Sequence, residues 1–178
     1  MRWMVFDVES VGLHGEGFAV GWVLVDDLGI ELACGHFGCP LEHAKAQYDA
    51  SREWVWKNCD WLDNCARPRD VRDQFWNAYN SYFFDIPGRK TILAADCPWP
   101  VEARFLNQLV ADDPSRIDRM PYPLIDIASV RMAAGLDPLA TARRYQEELP
   151  AHNPLSDARQ SARLLMEALH LINRGINL

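Results

Sequence analysis

The run Arg2-Trp3-Met4-Val5-Phe6-Asp7-Val8-Glu9 constrains this 178-residue chain more than any other feature. Its β-branched and aromatic residues suit a pleated surface, so residues 2–9 read as a strand. Side chains at i and i+2 of a strand project to the same face. Asp7 and Glu9 therefore stand side by side, with Asp7 inside an apolar stretch. At ~4 Å and an effective dielectric near 20, two such charges repel by about 4 kcal/mol. Protonation, a basic partner or a divalent cation has to offset that cost. Hard-oxygen coordination by a few carboxylates is the usual way of holding Mg²⁺. Alone, the pair also fits an exposed strand end.

The rest of the chain alternates strands and helices. Residues 17–26 form a second strand, and Asp26-Asp27-Leu28-Gly29 turns into a third over about 29–37. Residues 40–66 hold Trp54, Trp56 and Trp61 among polar residues and read as helices or an ordered excursion. Val71, Phe75, Ala78, Tyr79 and Tyr82 recur at steps of three and four, predicting a helix over 69–85 that Pro87-Gly88 stops. Lys90–Ala95 is a short strand ending at Asp96, and a helix follows over 99–111. Leu124–Ile127 is another short strand, leading into a helix near 128–134; Pro138 is expected to start one more, to about 148. Asn153 as N-cap and Pro154 at the first helical position open the last helix. Its apolar stripe is Ala158, Ala162, Leu165, Leu169 and Ile172, with Gly175 just past the end. This order predicts an α/β fold, a mixed central sheet flanked by helices. No repeat or linker divides the chain, so residues 1–178 read as one domain with an irregular or helical insertion at about 40–66.

Composition narrows the function. With 18 Lys+Arg against 25 Asp+Glu, the net charge is −7, which argues against a passive nucleic-acid binder. It argues less against an enzyme that collects carboxylates around Mg²⁺, because bound cations reverse the local field. No apolar run reaches the ~18 residues of a membrane span, and the early acidic residue Asp7 does not suit a signal peptide. Five cysteines without an export signal suggest reduced thiols and a cytoplasmic protein.

Two further groups carry chemistry. Asp96 ends a strand where open α/β sheets place ligand groups, although an acid there also serves as a helix cap. His152 precedes the N-cap of the last helix and Asp157 lies about one turn into it, so the two can face one cleft. The positive helix end favours Asp157 with or without a function.

Together these groups are more specific than any one of them. Asp-x-Glu on the first strand, Asp at the end of a later strand and His-x-x-x-x-Asp opening the last helix resemble the DEDDh branch of the DnaQ-like 3′–5′ exonucleases. Asp7-Val8-Glu9-Ser10-Val11-Gly12-Leu13 is similar to that family's Asp-Thr-Glu-Thr-Thr-Gly-Leu, with Val8 where Thr is usual. His152-Asn153-Pro154-Leu155-Ser156-Asp157-Ala158 resembles its His-x-Ala-x-x-Asp-Ala, with Pro154 in place of Ala. The likeness runs from residue 3 to about 170 and is nearest to small stand-alone exoribonuclease-like members. Residues 40–66 match no motif of the family.

The resemblance implies an RNase H-like fold and two Mg²⁺ or Mn²⁺ ions held by Asp7, Glu9, Asp96 and Asp157. It implies His152 as the base that takes a proton from the attacking water, an imidazole role suited to neutral pH. Ser10, Val11, Gly12 and Leu13 would line the terminal nucleotide, with Leu13 against its base. The implied reaction is metal-dependent 3′–5′ hydrolysis of single-stranded nucleic acid to nucleoside 5′-monophosphates, RNA slightly favoured. A DNA exonuclease or an oligonucleotide-trimming enzyme is the alternative. A non-catalytic binding module is less favoured, since all five positions are filled. A homodimer remains open.

Other features have plainer readings. Arg159 and Arg163 face phosphates in one reading and surface acids such as Glu167 in the favoured one. Cys34, His36, Cys39 and His43 fit no standard zinc pattern. Most of the seven tryptophans are expected in the core or a subunit contact rather than stacked on bases.

Overall fold

The computed structural model describes residues 1–83, 90–119 and 121–176. Five strands form one sheet in the order β3-β2-β1-β4-β5. They are β1 (Arg2–Ser10), β2 (Gly17–Asp26), β3 (Glu31–Gly38), β4 (Thr91–Ala95) and β5 (Leu124–Asp126). β1, β2 and β3 form the antiparallel meander, while β4 pairs parallel to β1 and β5 parallel to β4. The mixed sheet flanked by helices is the architecture expected from the order of elements.

The helices are α1 (Asp49–Asn58), α2 (Pro68–Phe83), α3 (Val101–Asp112), α4 (Ile127–Ala133) and α5 (Pro154–Ile176). Alternation along β1 divides the core into two layers. Met4, Phe6 and Val8 pack with Phe75 and Tyr79 of α2 and Phe105 and Leu109 of α3. Trp3 and Val5 pack on the other face with Ala158, Ala162 and Leu165 of α5 and Ile127 of α4. Asp7 and Glu9 share the odd parity of Trp3 and Val5, so the α5 face receives both carboxylates.

The expected helix from Pro138 to 148 does not form; only Gln146–Glu148 makes a 3₁₀ turn. Asp137 accepts the Leu139 N–H at 2.9 Å, starting a turn instead. The carbonyls of Pro138, Ala142 and Arg143 accept from Arg131, Gln160 and Arg163, so side chains of α4 and α5 replace helical partners. α5 continues through Gly175, which lies in its last turn rather than beyond it. The Pro87-Gly88 stop lies outside the described residues. Residues 41–66 combine a 3₁₀ turn at Leu41–His43, helix α1 and an irregular return.

Candidate active site

Two close approaches bring the acids together. Asn153 Oδ1 accepts the N–H groups of Leu155 and Ser156 at 3.2 Å each, the N-cap expected for α5. Gly21, opposite Asp7 on β2, lets that first turn lie against the sheet. A Cβ on Gly21 would stand 2.1 Å from the Leu155 nitrogen. Asp157 thereby reaches the carboxylates of β1, and ligand atoms of Glu9, His152 and Asp157 all lie within 4.8 Å of one another.

His152 is exposed and adopts a left-handed backbone, φ 58°. Non-glycine residues seldom occupy that region, and those that do cluster at functional sites. Its N–H donates to Asp157 Oδ2 at 3.1 Å, and its carbonyl accepts the Asp60 N–H at 2.9 Å. The unassigned segment 40–66 thus docks onto the site. Its α1 also sets Trp54 edge-on to the His152 ring, with centroids 5.1 Å apart.

Glu102 was not anticipated. The β1–β4 ladder ends at Val5 and Ala94, so Val8 has no strand partner on that side. Glu102, in the first turn of α3, accepts the Val8 N–H at 3.3 Å and is 6% exposed. Its signal is legible in hindsight: Glu102, Phe105, Leu106 and Leu109 make one buried helical stripe, with an acid on the apolar face.

The electrostatics match a cation site. Burial, then repulsion from Glu9, Glu102 and Asp157, holds the Asp7 carboxyl well above its ordinary value. Burial foremost pushes Glu9 and Glu102 from 4.5 to about 7. Asp157 is raised by burial although Arg144 and His152 oppose the shift. The Cys59 thiol donates to Glu9 Oε2 at 3.4 Å, and burial raises that thiol in turn.

Asp96 lies just beyond β4, beside other groups. Its ligand atoms cluster with Cys97 and Asp126 within 4.8 Å, and Arg131 opposes the rise that burial causes. One of its carboxylate oxygens is buried without a hydrogen-bond partner. Asp126 caps α4 through Ala128 N–H at 3.1 Å.

Ser10, Gly12 and Leu13 line an open cleft of about 470 Å³ with Glu9, Ser51 and Trp54. Leu13 is 64% exposed, whereas the Val11 side chain is fully buried beneath the cleft. A positive φ of 90° at Gly12 turns this segment, and Ser10 Oγ donates to the Gly12 carbonyl at 3.0 Å.

The plainer readings hold for the arginines: Arg159 forks onto Glu31 at 3.0 Å, and Arg163 meets Glu167 at 2.8 Å. Among the described residues, neither metal-capable cluster includes Cys34, His36, Cys39 or His43, and all five cysteines are free. Trp3 and Trp22 are buried and Trp61 and Trp76 pack partly buried against the core, while Trp54, Trp56 and Trp99 are exposed. No described helix is long and apolar enough to cross a membrane.

The sheet order and the helices on each face give a fold shared with solved exonuclease structures. The chain is similar to Pop2p of S. pombe, solved with Mg²⁺ and Mn²⁺ bound, at TM-score 0.66 and 14% identity over 93% of this chain and 81% of that one. It also resembles the nuclease domain of 3′hExo, a DEDDh family member bound to rAMP, at TM-score 0.52 and 14% identity over 95% and 90%. E. coli ExoI, solved with zinc and single-stranded DNA, matches at TM-score 0.61 and 12% identity; the match covers 97% of this chain and 42% of ExoI. No family model and no curated protein matches the sequence.

Proposed function

We propose that the protein is a divalent-metal-dependent 3′–5′ exonuclease acting on single-stranded nucleic acid, with RNA slightly favoured over DNA, and releasing nucleoside 5′-monophosphates. The observation that carries the reading is the convergence of Glu9, His152 and Asp157 within ligand distance, beside half-buried Asp7 and buried Glu102. So many carboxylates resist ionisation together, and Mg²⁺ or Mn²⁺ fits the deficit of positive charge. Asp7, Glu9, Glu102 and Asp157 would hold the ions, with the charge of Asp96 adding to the repulsion on Glu102.

Bound as a pair, such ions stabilise the attacking and leaving oxygens of an in-line displacement at phosphorus. The residues of the chain supply the rest. His152, at the exposed rim, accepts the proton of the attacking water. Leu13 and Trp54 border the cleft and offer apolar and aromatic faces to a terminal base, a contact indifferent to sequence. The exonucleases with this fold, solved with metal ions, rAMP or single-stranded DNA, support the reading.

Oligonucleotides labelled at the 5′ end test it. With Mn²⁺ they are expected to shorten stepwise from a free 3′ hydroxyl, to resist when the 3′ end is blocked, and to survive in EDTA. Matched RNA and DNA strands decide the preference; equal cleavage would remove it.

Stability gives a test independent of turnover. Unfolded glutamates lose protons near 4.5, while folded Glu9 and Glu102 keep theirs to about 7. Without metal, stability is expected to fall as pH rises through that window and to level off above it. Mn²⁺ binds the ionised acids, so it should raise the melting temperature more near pH 8 than near pH 5. An equal shift at both would contradict the cation site.

A further inference from the structure

Arg144 is the positive group inside the acidic cluster, and the residue types gave no hint of it. It lies in the segment 141–145, held outside regular structure by side chains of α5. Its Nη1 donates to Asp157 Oδ1 at 2.6 Å and to the Glu148 carbonyl at 2.9 Å. Its field also opposes the charge repulsion on Asp7. Both hydrogen bonds use Nη1; Nε and Nη2 have no acceptor among the described residues, and the side chain is 24% exposed. Arg159 and Arg163 differ, each forked onto a carboxylate by two nitrogens. Arg144 alone of the three combines one tie to the cluster with an open fork.

We infer that Arg144 is a resident counter-cation of the site that gives up Asp157 to a divalent ion and then grips a phosphate oxygen of the bound nucleotide. The inference rests on the nuclease reading for the identity of the anion. Divalent cations and the guanidinium compete for the same Asp157 oxygen. A guanidinium freed beside the bound ions meets phosphate with the planar geometry that suits it.

Calorimetric titration of the whole chain separates the two roles. With Mn²⁺ alone, Arg144→Ala is expected to bind the ion about fivefold more tightly, the scale of one partly exposed ion pair. With Mn²⁺ saturating, its affinity for adenosine 5′-monophosphate should fall about tenfold or more, while adenosine binds as in the wild type. Arg144→Lys keeps the charge without the fork: Mn²⁺ affinity stays at the wild-type value and the monophosphate is weakened. Should the alanine chain fail to fold, Arg144→Gln, which removes the charge and keeps the bulk, replaces it in both titrations. Unchanged or weaker Mn²⁺ binding in Arg144→Ala overturns the counter-cation role, and unchanged monophosphate binding overturns the phosphate role. A wild-type protein that ignores the monophosphate refutes the phosphate role and the nuclease reading together, leaving the Mn²⁺ comparison to judge the counter-cation role.

Discussion

Asp157→Ala is expected to lower phosphodiester hydrolysis by at least ~100-fold, the lower scale for losing a group that acts directly on the reacting atoms. Three roles meet in this side chain. It reaches Glu9 and His152 within ligand distance, receives the His152 N–H at 3.1 Å and receives Arg144 at 2.6 Å. On the proposed reading, its removal would take a ligand from the ions and release the left-handed turn at His152. Asp157→Asn keeps the volume and one carbonyl acceptor, enough for one of the two donors, so it removes the charge and one hydrogen bond while the packing stays. His152→Ala should fall on the same scale while leaving Mn²⁺ binding nearer to that of the wild type. Single-turnover rates and calorimetric Mn²⁺ titrations check the pair; wild-type turnover in either Asp157→Ala or His152→Ala would break the assignment.

Glu102→Gln is expected to cost as much, at least ~100-fold, whereas Asp96→Asn costs far less. The amide retains an oxygen for the Val8 N–H, so the local fold is kept and only the charge is removed. The acid is buried and titrates near 7, so its neutral replacement should not weaken the metal-free protein above that pH. Asp96 faces Asp126, Cys97 and Arg131, a set apart from Glu9, His152 and Asp157. Equal losses in both variants, or a loss confined to Asp96→Asn, would return the third acid to the end of β4.

The mixed sheet and α5 were legible because their signals are local. The β-branched and aromatic runs of β1 and β2, and Asn153-Pro154 before an apolar stripe, act within a few residues of where they are read. The segment after Pro138 misled because its carbonyls answer to Arg131, Gln160 and Arg163, which are distant or bound to other elements. The tryptophans divided unpredictably for the same reason: Trp22 is covered by packing from elsewhere, while Trp54 sits at a cleft rim.

The amino-acid order alone determined that Asp7 and Glu9 share one face of β1, and that His152 and Asp157 flank the start of α5, since both follow from backbone periodicity. Tertiary structure decided which acids join them. The end of the β1–β4 ladder left Val8 for Glu102, Gly21 admitted the first turn of α5, and an irregular segment delivered Arg144. Long-range contacts of this kind depend on where separate elements meet, and no short-range period in a chain encodes that meeting point.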